Sequence, residues 1–173
     1  FSALGKFFNH KVMAVFALHR SQTMNDRWRP NVTVAAVVVK DSHYLMVEEL
    51  PQGAEEPVLN QPAGHLEQGE SLVEAVRREV LEETRWEVEV SGYLGVAMLT
   101  ANNGTTYLRH TFLCSPLLEH SDRHLDNGII GAHWMSFDEI ERLEPIHRSH
   151  LVLKVLRQCR AGQCAPLSLI IET

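Results

Sequence analysis

The stretch 64–86, GHLEQGESLVEAVRREVLEETRW, constrains this chain more than any other. Ser71-Leu72-Val73-Glu74 has the capping-box pattern, which starts a helix at about Ser71 and leaves residues 64–70 as the loop that approaches it. Leu72, Val73, Val76 and Val80 recur at helical spacing as an apolar stripe, whereas Glu79, Glu82 and Glu83 fall largely off it. Residues three and four apart share a helix face, so three carboxylates are crowded together at roughly 0.2–0.5 kcal/mol per like-charged pair. A bound cation offsets that repulsion, and oxygen-only ligands suit a hard ion such as magnesium, manganese or calcium.

The rest of the chain supplies a sheet for this helix. Residues 32–39, VTVAAVVV, are nearly all apolar and β-branched, the pattern of a central strand covered on both faces. Asp41-Ser42-His43 reads as a turn, 44–48 as a second strand, and LPQGAEEPVL (50–59) as a loop. Beyond Trp86 the period becomes two: Val88 and Val90 alternate with acids, 93–100 is a strand, and Asn103-Gly104 marks a hairpin into 106–114. Residues 115–131 read as irregular, 132–135 as a short strand, Ser136-Phe137-Asp138-Glu139 as a second capping box, and 149–160 as the last helix. The tail PLSLIIE is expected to add an edge strand. Strands and helices in this order predict an α/β or α+β domain with a mixed sheet between helices.

At 173 residues the length suits one domain, assigned to 24–173. Residues 1–23 contain no acid and a short apolar run, 12–18, too short to span a bilayer; they are read as an upstream extension in preference to a signal peptide. A net charge of -6 argues against a nucleic acid polymer as partner but leaves nucleotides open, because metal ions neutralise their phosphates locally. Cys114, Cys159 and Cys164 have no zinc-like spacing and are odd in number, which favours a reducing compartment, the cytoplasm, over a disulfide framework. His120/His124 and His147/His150 have helix-face spacing but no metal-site context.

Written as a pattern, Gly64, five residues, Glu70, seven residues, Arg78-Glu79-Val80, one residue, Glu82-Glu83, one residue, Arg85-Trp86 resembles the Nudix box. The likeness extends through NVTVAAVV, LMVEE, NQPAGHLE, YLRHTFLC and HWMSFDEI, and is closest to the bacterial NudJ-type Nudix phosphatases. It implies a Nudix α/β/α sandwich and metal-dependent hydrolysis of a phosphoanhydride in a nucleoside di- or triphosphate or a thiamin-type pyrimidine diphosphate. The alternative is a catalytically silent Nudix-fold module that binds a ligand or regulates. The resemblance makes Glu79 and Glu83 the leading ligands of Mg2+, with Mn2+ as a substitute, Glu82 a further ligand or general base, and the Gly64 carbonyl an extra ligand. Arg78 would pair with Glu70 or Glu79 and hold the carboxylates.

For the substrate, a small phosphorylated metabolite, Arg109 is a phosphate contact, with Asn60 and Gln61 at the pocket mouth and Tyr44, Tyr107 or Trp28 as stacking candidates. The protein would act without a membrane, as a monomer or homodimer. Two positions depart from the family. Arg85 stands where glycine is usual, at about 1 kcal/mol if the backbone is left-handed there. Gly128 stands where many members carry a loop carboxylate, and the nearby Asp126 is read as a solvated loop acid.

Overall fold

The computed structural model describes residues 27–171, so the expectation for 1–23 lies outside the described residues. Strand β1 (Asn31–Lys40) runs through the middle of the domain, and Val34 to Val38 are all buried, as its unbroken apolar run requires. Asp41 and Ser42, with φ of 48° and 62°, turn the chain into β2 (His43–Glu49). A two-residue turn with both φ positive matches the twist of the strands it joins. The path continues through β3 (Val58–Asn60), β4 (Ala63–His65), α1 (Leu72–Thr84), β5 (Trp86–Thr100), β6 (Thr106–Glu119), β7 (Ile129–Ser136), α2 (Phe137–Arg142) and α3 (Leu151–Arg160).

The sheet order is β3-β2-β1-β6-β5, with β7 beside β2 and β1 parallel to β6. Beyond the turn, β1 and β2 pair only at Val39↔Tyr44 and Lys40↔His43; β2 then diverges toward β3 and β7. The short β4 fills the vacated edge of β1, with Thr33↔His65, Val34↔Gly64 and Ala35↔Ala63 in antiparallel register. This splaying opens the cleft that holds the site.

Two apolar clusters flank the sheet. On one face Val34, Ala36, Val38, Phe112 and Cys114 meet Ala75, Val76 and Val80 of α1; on the other Val37, Met46 and Leu94 meet Ile140, Val152, Val155 and Leu156 of α2 and α3. The architecture is therefore the expected helix–sheet–helix sandwich. Both expected capping boxes form, at Ser71/Glu74 and Ser136/Glu139, each contributing about 1 kcal/mol to its helix start. The cysteines are free, and no helix among the described residues is long and apolar enough to cross a membrane.

Three expectations need correction. Val58 and Leu59 belong to β3 rather than to a loop, because β2 offers them a partner edge. Strand β6 runs on to Glu119 and β7 begins at Ile129, so the irregular segment shrinks to 120–128; pairing of Trp86 with Glu119 and Glu87 with Leu118 overrides a weak local pattern. The tail makes one bridge, Tyr93↔Ala165, and then a 3-10 turn at Leu167–Leu169. Pro166 has no N–H to continue a ladder. Off the apolar stripe, Glu79 and Glu83 are buried all the same, and they lie under β4.

Two stability predictions follow from the backbone and burial. Arg85 ends α1 with φ 66°, in the left-handed region, and its buried Nε has no hydrogen-bond partner among the described residues. Arg85→Gly is expected to stabilise the fold by about 1 kcal/mol, raising Tm by roughly 3 °C in thermal denaturation. His147 has Nε2 3.0 Å from the Ile140 carbonyl, and burial lowers its pKa below 6.5. Below pH 6.5 the unfolded chain therefore binds the proton more readily, and this side chain's contribution to stability is lost as pH falls. In urea titrations, the margin of the wild type over His147→Gln should narrow between pH 7.5 and pH 5.

Candidate active site

The site forms where the splayed sheet meets the C-terminal half of α1. Pairing with β1 fixes Gly64, and a Cβ built there would overlap the Glu79 carboxylate. The glycine is thus required by close approach rather than by an unusual φ. Glu83, one turn further on, accepts a 2.8 Å hydrogen bond at Oε2 from the Ala63 N–H. The helix is therefore clamped to β4 by the same carboxylates that the sequence singles out.

Arg78 holds the opposite side. Its guanidinium donates to Glu70 Oε1 and Oε2 at 2.7 and 3.0 Å, to Glu79 Oε1 at 2.8 Å, to Glu82 Oε2 at 3.0 Å and to the His65 carbonyl at 3.0 Å. Glu70 also accepts from the Glu67 N–H at 2.7 Å, which braces the approach loop. Pairing was expected with Glu70 or Glu79; Arg78 bonds both, and Glu82 besides. These contacts hold the Glu70 carboxyl below the usual carboxylate range and the Arg78 guanidinium further above its own.

Burial acts in the opposite direction on the two inner acids. It raises the Glu79 carboxyl even against the Arg78 contacts. Burial pushes the Glu83 carboxyl up to about 8; the Ala63 N–H opposes this, and the charges of Glu79, Glu49 and Asp126 add to it. No three His, Cys, Asp or Glu side chains among the described residues already form a cation cage. Arg78 engages one oxygen each of Glu79 and Glu82, while Ala63 engages one of Glu83. The donor set nonetheless suits a hard divalent ion: it consists of oxygen, is net negative, and opens on a Gly64 cradle that a single methyl group would fill.

A cavity of about 670 Å³ adjoins these acids, with Glu49, Asn60, Ala63, Gly64, Tyr107 and Arg109 among its lining. Arg109 reaches it from β6, donating to Asn60 Oδ1 at 3.3 Å and to Gln61 Oε1 at 2.9 Å. Gln61 is fully buried and also donates to the Val152 carbonyl at 2.9 Å, so it positions Arg109 from behind instead of standing at the mouth. Asn60 is likewise buried and donates to Glu49 Oε1 at 3.0 Å. Of the stacking candidates, Tyr107 lines the cavity, Tyr44 is buried in the second core, and Trp28 is exposed.

Sequence reasoning missed Glu49 and undervalued Asp126. Glu49 ends β2 beside a register shift, a feature that only the pairing with β7 reveals. Asp126 is exposed, as expected of a loop acid, yet its charge acts on both Glu79 and Glu83, and its N–H donates to the Glu82 carbonyl at 3.1 Å. A second hollow, beside Leu81, Val88 and Leu117, is lined by Arg77 and Arg78 but by none of Glu70, Glu79, Glu82 and Glu83.

Comparison with known proteins agrees with this fold. The NUDIX domain model matches residues 29–153. Phosphatase NudJ of Escherichia coli (strain K12) and that of Shigella boydii serotype 4 (strain Sb227) are each 36% identical over 143 residues, covering 83% of this chain and 92% of the relative. A solved NUDIX hydrolase from Nitrosomonas europaea is 46% identical, with a TM-score of 0.81 over 84% of this chain and 98% of that one. A box of clustered acids on a capped helix, the sandwich that carries it, and relatives aligned along nearly their whole length establish that this chain belongs to the Nudix hydrolase family.

Proposed function

We propose that the protein is a Mg2+-dependent phosphohydrolase, with Mn2+ able to substitute, acting on nucleoside di- or triphosphates or thiamin-type pyrimidine diphosphates. The observation that carries this reading is the burial of Glu79 and Glu83 against Gly64 and Ala63, beside a cavity lined by Arg109. Two carboxylates kept out of water at a loss of solvation call for a cation, and a cation among oxygen ligands beside a basic cavity suits a polyphosphate.

Glu79 and Glu83 would hold the ion, with Glu82 and the Gly64 carbonyl as further ligands. When bound, a divalent ion neutralises phosphoryl oxygens and lowers the pKa of a coordinated water. The protein's own residues do the remainder. Arg78 keeps Glu79 and Glu82 in register with the approach loop, and Arg109 orients a phosphate from the sheet side. Asn60 and Gln61 support this by holding the Arg109 fork in place. A silent binding module would be expected to have lost one of these acids, and none is missing.

Glu79→Gln and Glu83→Gln should each lower Mg2+-dependent phosphate release by about 100-fold or more, with an unchanged circular dichroism spectrum. Near wild-type turnover by either folded variant would remove the assignment. Gly64→Ala, which adds a methyl group where the Glu79 carboxylate sits, should weaken Mn2+ binding by roughly 10-fold or more. Electron paramagnetic resonance titration measures that affinity without relying on turnover.

A further inference from the structure

Strand β5 ends the sheet, so among the described residues one of its two edges meets no other strand. A free edge invites pairing with another chain, and folds guard it with charge or with cover. Most of β5 is guarded in these ways. Near its start it carries the exposed acids Glu87 and Glu89. In its middle the tail closes on it: Ala165 and Tyr93 exchange two backbone hydrogen bonds of 2.8 Å, and Gln158 of α3 donates to the Leu94 carbonyl. Past Gly95 neither device continues. No charged side chain occurs between Glu89 and Arg109, and among the described residues nothing pairs with the outer edge of 95–100.

The hairpin turn decides which backbone groups this open segment presents. The Ala101 N–H donates to the Thr105 carbonyl and the Gly104 N–H to the Ala101 carbonyl, both at 2.9 Å, so Ala101 and Thr105 close the β5–β6 ladder as a hydrogen-bonded pair. Bonded and non-bonded pairs alternate along an antiparallel ladder. Gly95, Ala97 and Leu99 therefore bond to β6, whereas Val96, Met98 and Thr100 turn their N–H and C=O groups outward. The 3.0 Å contact between the Thr100 and Thr106 hydroxyls agrees with this, because side chains lie closer in a non-bonded pair. Side chains alternate as well. Leu99 lines the cavity, and Val96 and Met98 point to the other face, 56% and 71% exposed.

The outward groups at 96, 98 and 100 are symmetric about Met98. A second copy laid antiparallel across a two-fold axis there would set Met98 against the partner's Met98 and Val96 against the partner's Thr100, with the exposed apolar side chains of both copies on one face. The ladder has built-in limits. Gly95 would face the partner's Ala101, and beyond that pair the tail at Tyr93 and the Asn103-Gly104 turn stop it.

We propose that residues 96–100 of β5 are a homodimer interface, at which two copies join their sheets edge to edge about Met98. The occupant is a second copy because the open segment is short, uncharged and complementary to itself. Leu99, Thr100, Ala101, Asn102 and Asn103 of the same hairpin line the cavity, so pairing would brace that wall without adding a group to the chemistry.

Sedimentation velocity of the full chain should show a dimer at micromolar concentration. Met98→Lys, which sets two like charges opposite each other, should raise its dissociation constant about tenfold or more. Met98 is exposed, so the variant keeps the fold and its circular dichroism spectrum. Leu117→Lys, the same change at another exposed apolar residue, should leave the dimer intact. In amide hydrogen exchange followed by nuclear magnetic resonance, the Val96 and Thr100 N–H groups should be protected in the wild type and exchange faster in Met98→Lys. A monomeric wild type, a dimer that survives Met98→Lys, equal dissociation by both variants, or equal exchange of these amides in wild type and Met98→Lys overturns the interface.

Discussion

Gly64 and the Glu79 carboxylate occupy a space that one added methyl group would fill, and most of the domain is arranged to make that contact possible. Gly64 is fixed because β4 pairs with β1, and β4 can pair there only because β2 turns away after two residue pairs. Glu79 is fixed because Ala75, Val76 and Val80 anchor the same helix on the sheet face formed by Val34, Ala36 and Phe112. Loosening either side would leave a charged side chain buried without its neighbours, which is among the costlier faults a fold can carry.

Electrostatics explains how the contact is held, through one counter-ion shared among several acids. Arg78 is the cation bonded directly to the acids, and it serves Glu70, Glu79 and Glu82 together. Because the guanidinium is planar and carries five donors, it can brace loop and helix at once, which an ammonium group could not do with the same geometry. Glu83 lies beyond its reach and relies on the Ala63 N–H, which is why burial dominates there and lifts its carboxyl to about 8. The protein thus keeps one inner acid paired and the other poised, an asymmetry that comes from which backbone or side-chain donor each one meets.

What the sequence made legible follows the range of the interactions. Both capping boxes, the central strand and the box of acids depend on residues within a few positions of one another, and each appears where the spacing puts it. The extended course of β6 and the break after Ala165 depend on partners far along the chain or on a missing N–H at Pro166, and local periodicity carries neither signal. Among candidate residues, Arg109, Asn60 and Gln61 could each be picked out, but not that the two amides hold the arginine. Its position just before the box puts Gln61 at the pocket mouth, whereas its side chain turns inward to Val152, 91 residues away. Glu49 carried no local signature, because its place in the cavity wall arises from a register shift against β7.

The divergence of β1 and β2 also explains how acids on a helix act on an arginine that serves the opposite side of the sheet. Arg109 contacts Asn60 and Gln61, whose neighbours include the α3 backbone, while Glu83 belongs to α1 on the other face. A continuous sheet would separate the two by a layer of paired backbone. Here β4 is only three residues long, and its Ala63 and Gly64 both line the cavity and touch the α1 carboxylates. The charge of Glu83 is accordingly felt at Arg109, and that of Glu49 at both. The cavity beside Arg109 and the α1 carboxylates are therefore electrostatically coupled across Ala63 and Gly64, so a charge placed beside Arg109 would change the field at Glu83.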